Sequence, residues 1–189
     1  AAHHADLVVG RVNGRRLTDN GFYIYLGGLI GGGWGAKHNA DGMSATIAIN
    51  DGDTHNGPSE QVEAKYPLLV ERYTLRQDSG GAGRHRGGLG QVMEIGSRED
   101  AAFGIFARFE RVTHPARGRH GGGEGGAGRL SLKSGTVLKA KGLGVVPPGD
   151  RLGVEMPGGG GMGPARQRDP AAVRRDVRLG YLSRAEARR

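Results

Sequence analysis

Cysteine is absent from the 189 residues, which removes disulfides, thiolate metal sites and cysteine nucleophiles together. No apolar run approaches the roughly 18 residues that a membrane-spanning helix needs. The first residues also lack the apolar core of a secretory signal, so a soluble, cytoplasmic protein that binds no membrane is the expectation. Aromatic residues are scarce, 5% of the chain with a single tryptophan, and no basic stretch is interleaved with them as on nucleic-acid surfaces. The formal charge of +8 sits mostly in the tail: from 166 to 189, eight arginines face three acidic residues, leaving +3 for the first 165. A solvated helical tail accounts for that excess, and nucleic acid is not an expected partner.

What the chain has in plenty is glycine, 38 residues beside 8 prolines. Short apolar runs recur between the glycines, which points to many short strands joined by tight turns. The expected fold is mainly β: one Gly-rich multi-stranded domain over 1–165, then a basic tail over 166–189 with two short helices. A chain of this length makes one domain that buries roughly 70% of its unfolded surface.

The organising stretch runs from Glu63 to Gly90. Pro67 to Arg76 reads as a half-buried strand, with Leu69, Tyr73 and Leu75 on one face and Arg72, Thr74 and Arg76 on the other. Gln77 to Gly88 is a charged, glycine-rich loop, and the apolar run from Leu89 follows at once. Gly81, Gly83 and Gly87 mimic a phosphate cradle, but such a cradle needs a helix N-terminus behind it. Here a strand is expected instead.

Upstream, Asn13-Gly14 and Asn20-Gly21 each signal a hairpin, linking strands at Leu7–Val12, Arg15–Thr18 and Phe22–Leu26. His3 and His4 are set aside from chemistry as a terminal feature. Trp34 fills the gap left by surrounding glycines, and Lys37, His38, Asn39 and Asp41 precede a strand at Met43–Asn50. Asp51, Asp53 and His55 alternate on one face of extended chain, a pattern that suits a manganese- or iron-type ion but that ordinary aspartate-glycine turn chemistry explains better. Downstream, strands are expected at Gln91–Ile95, at alternating Phe103, Ile105, Ala107 and Phe109, at Leu130–Leu132, at Val137–Leu138 and at Leu152–Met156. His114 and His120 are too irregularly spaced for a metal site. Asp169 before Pro170 starts a helix that Gly180 ends, and Ser183 with Glu186 forms a capping box for a second.

Three stretches, Glu63–Gly90, the GGWGAKHNADG run over 32–42, and the PGGGGMG loop over 157–163 with its following RDP helix start, resemble in order and spacing the B subunits of the hydantoinase B and oxoprolinase family. Relatives of that kind include N-methylhydantoinase B subunits, 5-oxoprolinases and the alpha-type subunits of acetone and acetophenone carboxylases. The resemblance implies the C-terminal portion of a longer B-type subunit, working in a hetero-oligomer with a hydantoinase A-type subunit that binds ATP and Mg. It implies hydrolysis of a cyclic amide or imide, with carboxylation of a ketone as the alternative. A divalent metal, where relatives carry one, belongs to the part preceding Ala1, so Asp51, Asp53 and His55 do not inherit that role and no metal ligand is assigned in this chain.

Position by position, the family's Asn-Thr-Pro-x-Glu pattern falls on Asn56, Gly57, Pro58, Ser59 and Glu60, with glycine in place of threonine. Its Asp-Ser-Gly-Gly-x-Gly-x-x-Arg-Gly-Gly pattern falls on Asp78 to Gly88 without departure. The resemblance therefore nominates Glu60, Asp78 and Arg86 as catalytic, and His38, Asn39, Asn56 and Arg84 as substrate-binding. Arg84 or Arg86 could grip a carboxylate or phosphate with Asp78 orienting it, or Asp78 and the arginines could pair merely to pin the loop. The chain offers no evident nucleophile and base pair, which favours a second reading as a non-catalytic assembly module.

Overall fold

The computed structural model describes residues 1–3, 10–27, 31–47 and 57–188. In it, short apolar runs build two four-stranded antiparallel sheets. The first orders β2 (Phe22–Gly27), β1 (Gly10–Arg15), β5 (Phe103–Arg108) and β7 (Lys141–Val146). The second orders β3 (Leu68–Leu75), β4 (Gln91–Ser97), β8 (Arg151–Glu155) and β6 (Arg129–Leu132). Val12, Tyr23, Phe103, Ile105 and Val146 of the first sheet join Met93, Ile95, Leu130, Leu152 and Val154 of the second in one core cluster. The sheets are thus two layers around a shared interior, and the mainly β expectation holds.

Alternation decides most strands. Phe103, Ile105, Ala107 and Phe109 are all buried, as period-two burial requires. In β3 the expected faces are interrupted: two residues of β3 oppose one of β4 between Val70 and Arg72. That bulge switches the inward parity. Val70 pairs with Ile95 before it and Tyr73 with Met93 after it, so Leu69 lies on the outer face instead of with Tyr73.

Three other local expectations fail for identifiable reasons, and one helix is not signalled in the sequence. Asn13-Gly14 is no hairpin but the middle of β1, paired with β2 on one side and β5 on the other; Gly14 leaves room for the Tyr23 ring, whose hydroxyl would stand 2.7 Å from an added Cβ. Val137 makes one isolated bridge to Ser131, while the real strand, β7, carries glycine at two of its three inward positions, Gly142 and Gly144. Residues 59–65 form a helix, α1 (Ser59–Lys65), which packs on β3. Within 43–47 only Thr46 makes a bridge, to Gly32, and the rest of that expected strand lies outside the described residues, as does Leu7–Val9.

The glycine stretches form a second structural unit in which backbone packs on backbone. A Cβ on Gly87 would stand 1.9 Å from the Gly159 carbonyl oxygen, and one on Gly88 1.8 Å from that of Met43. Amides pair across the same contacts: Gly81 to Gly159 (2.8 Å), Gly159 to Gly88 (2.9 Å) and Gly88 to Trp34 (2.7 Å). His3 belongs to this unit, its Nδ1 accepting the Gly35 amide at 2.8 Å and its ring 5.0 Å from Trp34, a structural place for a residue set aside from chemistry.

The tail starts as the Asp169-Pro170 signal predicts. Asp169 accepts the Ala171 amide at 2.9 Å, α2 runs Pro170–Arg178, and Gly180 leaves it at φ +73°. Ser183 accepts the Glu186 amide at 3.1 Å, and the second helix is a single 3-10 turn, Glu186–Arg188. Among the described residues, no helix is long and apolar enough to cross a membrane.

Candidate functional site

The glycine loop leads directly into β4, and its amides are largely spent on neighbouring carbonyls. It therefore does not present the free, helix-backed donors that hold a nucleotide phosphate. Its charged residues meet the tail and the 37–41 turn instead, and around them lies an open pocket of about 590 Å³.

Three elements deliver the side chains. The Lys37 backbone amide donates to the Ala40 carbonyl at 2.9 Å, closing a turn that leaves Asp41 facing the loop. Arg168, just ahead of the α2 N-cap, grips both Asp41 carboxylate oxygens at 2.7 Å, the bidentate geometry that a guanidinium favours. The Arg86 amide adds a third bond to Asp41 at 2.8 Å. Asp176, on the inner side of α2 and 1% exposed, accepts from Arg168 at 2.7 Å and from Arg86 Nε at 3.2 Å. Arg86 further donates to the Gly87 carbonyl at 2.6 Å and lies over the Tyr181 ring at 5.6 Å.

The charges in this cluster are mutually satisfied. Burial pushes the Asp41 carboxyl up, but the Arg168 hydrogen bonds and charge, joined by the Arg86 amide, outweigh it and hold it below its ordinary value. The hydrogen bond to Asp41 in turn holds the Arg168 guanidinium above its usual range against the opposing effect of burial. His85 lies beside them, Nδ1 4.0 Å from Asp41, with its Nε2 covered and unpartnered. Asn39, Arg84, Ala172 and Arg175 complete the pocket wall, and Arg84 and Arg175 point exposed charge at it. Such a wall can hold an anion such as a carboxylate; the half-buried Asp41 and buried Asp176 are already bound by arginines, and Asp169, exposed in the same lining, caps α2.

Of the nominated residues, Asn39 and Arg84 line this pocket, and Arg86 lies buried under it. His38 is exposed on the same turn but is not part of the lining. Glu60 is exposed in the first turn of α1, also outside the pocket. Asp78 does not orient Arg86; it accepts the Ser183 amide at 2.7 Å and its own amide donates to Tyr181 at 3.1 Å, tying the loop to the tail. Asn56 and the Asp51, Asp53, His55 set lie outside the described residues. Among the described residues, no group of three or more His, Asp or Glu side chains is placed to hold a metal ion.

Sequence reasoning missed Arg168, Asp176 and Arg175 as members. Arg168 stands in the RDP triplet that marks the helix start, which was the available signal. Asp176 sits between arginines on a helix that reads as wholly solvated, and nothing local marks it as buried.

Residues 1–165 match the family model described as Hydantoinase B/oxoprolinase. The 5-oxoprolinase 1 of Arabidopsis thaliana is 37% identical over 158 residues, covering 82% of this chain and 12% of that protein. The caprolactamase beta subunit of Pseudomonas jessenii is 31% identical over 196 aligned positions, covering 96% of this chain and 32% of its own. The crystal structure of that ATP-dependent caprolactamase superposes with a TM-score of 0.80 at 27% identity, over 95% of this chain and 33% of the matched one. An acetone carboxylase structure shares the fold with a TM-score of 0.73 at 19% identity. This chain thus spans about a third or less of the length of the proteins it matches.

Proposed function

This chain belongs to the hydantoinase B/oxoprolinase family, and from that premise we propose that it is the C-terminal region of a B-type subunit in an ATP-dependent enzyme that opens cyclic amides or imides. An A-type subunit binds ATP and Mg in this reading, and hydrolysis of the activated ring is completed on the B-type side. What supports it is the match across 1–165 together with the likeness to an ATP-dependent caprolactamase over 95% of the chain. ATP supplies the activation of the amide oxygen; the largely spent amides of the glycine loop offer it no phosphate cradle, and no step of that activation is assigned to this chain.

The residues present carry a binding role. Arg84 and Arg175 hold a carboxylate, either one borne by the substrate or the one released when the ring opens, and Asn39 offers an amide at the same rim. Arg168, Asp41, Asp176 and Arg86 fix the two walls relative to one another. Holding a ligand in a fixed pose is a substantial part of catalysis even where no bond is broken by the holding groups.

The test is reconstitution of the intact B-type protein with its A-type partner and measurement of substrate-dependent ATP hydrolysis across lactams, hydantoins, 5-oxoproline and small ketones. Turnover with cyclic amides and ring-opened products is expected. Turnover confined to ketones with bicarbonate would replace hydrolysis by carboxylation, and no turnover with any of them would overturn the proposal.

A further inference from the structure

The outer faces of the two sheets differ in chemistry. On the second sheet most of the outward charged residues are matched: Arg72 with Glu94 at 3.4 Å, Arg76 with Glu155 at 3.1 Å, and Lys133 and Arg151 both on Glu71. Val92 lies beneath them, 7% exposed. That is a face built for water. On the first sheet the outward residues include Phe22, Ile24, Leu143 and Val145, exposed by 58%, 43%, 76% and 63%. Register joins them across the sheet: Ile24, Asn13, Gly104 and Val145 form one row, and Arg11, Phe106 and Leu143 the next.

The same face carries unbalanced positive charge. Arg11 and Arg108 lie over the Phe106 ring at 5.8 and 5.4 Å, and Arg15 donates to the Asn20 carbonyl. Among the described residues none of these three has a carboxylate within ion-pairing distance. Two copies of this chain meeting face to face would set three arginines against three, which disfavours self-association. A partner with an apolar centre and a carboxylate rim meets both features.

We infer that this face docks the remaining portion of the B-type protein, the two-thirds or more of the relatives' length that this chain does not span. The inference rests on the family reading above but requires neither ATP nor a substrate. Contiguous exposed apolar surface of this kind marks an interface, and a sheet face paired with arginines selects an acidic one.

The absence of cysteine from this chain permits a direct test. Leu143→Cys, Ile24→Cys and, as the water-facing control on the other sheet, Thr74→Cys are introduced singly into the intact B-type protein. Maleimide labelling is then followed at the peptide level by mass spectrometry. Leu143→Cys and Ile24→Cys are expected to react at least about tenfold more slowly than Thr74→Cys in the B-type protein alone. Equal rates overturn the inference. So does protection that appears only when the A-type subunit is added, or protection that accompanies a homodimer seen by light scattering. Since labelling is read without turnover, a failed activity assay leaves this outcome independent.

Discussion

Asp176 accepts a hydrogen bond from Arg86 at 3.2 Å although 90 residues of chain separate them, and both side chains are buried, 1% and 9% exposed. The tail is therefore locked to the glycine loop by a charge that has no access to water. Asp176→Ala strands the Arg86 guanidinium in the interior, while Arg168 keeps its two bonds to Asp41, and breaking a buried pair from one side costs about 3–5 kcal/mol. Urea unfolding of the variant should show a loss of that size. A loss below about 1 kcal/mol would mean that water reaches the pair.

Gly87 and Gly10 form a matched comparison of what glycine does here. An alanine methyl at Gly87 collides with backbone, the Gly159 carbonyl at 1.9 Å, whereas at Gly10 nothing lies within 4 Å. Backbone gripped on several sides cannot yield as a flexible side chain can. Gly87→Ala should lower the thermal midpoint sharply or prevent folding, while Gly10→Ala should stay within about 0.5 kcal/mol of the parent. Comparable effects at the two sites would show that the glycine stretches are looser than their contacts indicate.

The same contrast explains what could be read in advance. Phe103, Ile105, Ala107 and Phe109 announced β5 because their burial follows side-chain period, and Asp169-Pro170 with Gly180 bracketed α2 because caps are local chemistry. The strand after the loop was legible because an apolar run follows Gly88 at once. In β7, by contrast, glycines occupy inward positions and Leu143 and Val145 point out, so the pattern is inverted. Asn13-Gly14 has turn composition, but pairing on both sides of β1 overrides it. The site resisted more strongly: the bonds among Asp41, Arg86, Arg168 and Asp176 join three distant segments, and nothing within any one segment specifies the partner.

Asp41 gives the site a pH dependence of fixed sign. Its carboxyl is held below the ordinary value of about 3.9 when folded. Its contribution to stability is therefore complete above that value and is lost as pH falls through the lower, folded one. Urea unfolding between pH 7 and pH 3 should show stability declining below about pH 4. Asp41→Asn should be less stable at pH 7, with a shallower decline; an unchanged slope would assign the acid sensitivity to other carboxylates.

Arg84 and Arg175 share the pocket wall, and each alanine substitution should weaken substrate binding in the assembled enzyme. Loss of a hydrogen bond to a charged group costs about 1.5–3 kcal/mol, which corresponds to a rise in KM of about 10- to 100-fold. Arg174→Ala, exposed on α2 and outside the pocket lining, is the control and should leave KM unchanged. If Arg84→Ala and Arg174→Ala behave alike, the pocket is not where substrate binds.

Asp78 separates a structural from a chemical role most cleanly. Its backbone sits at φ +61°, a region that aspartate and asparagine tolerate better than most residues. Its carboxylate accepts the Ser183 amide at 2.7 Å. Asparagine keeps both properties, since its carbonyl oxygen accepts as well, but it carries no charge and cannot move a proton. Asp78→Asn should therefore keep near-parent stability and kcat. Asp78→Ala, which loses the acceptor and suits the positive φ poorly, should release the segment after α2, seen as faster hydrogen exchange around Ser183. A collapse of kcat in Asp78→Asn with hydrogen exchange unchanged would return Asp78 to the reacting groups, because only the loss of its charge could produce that combination.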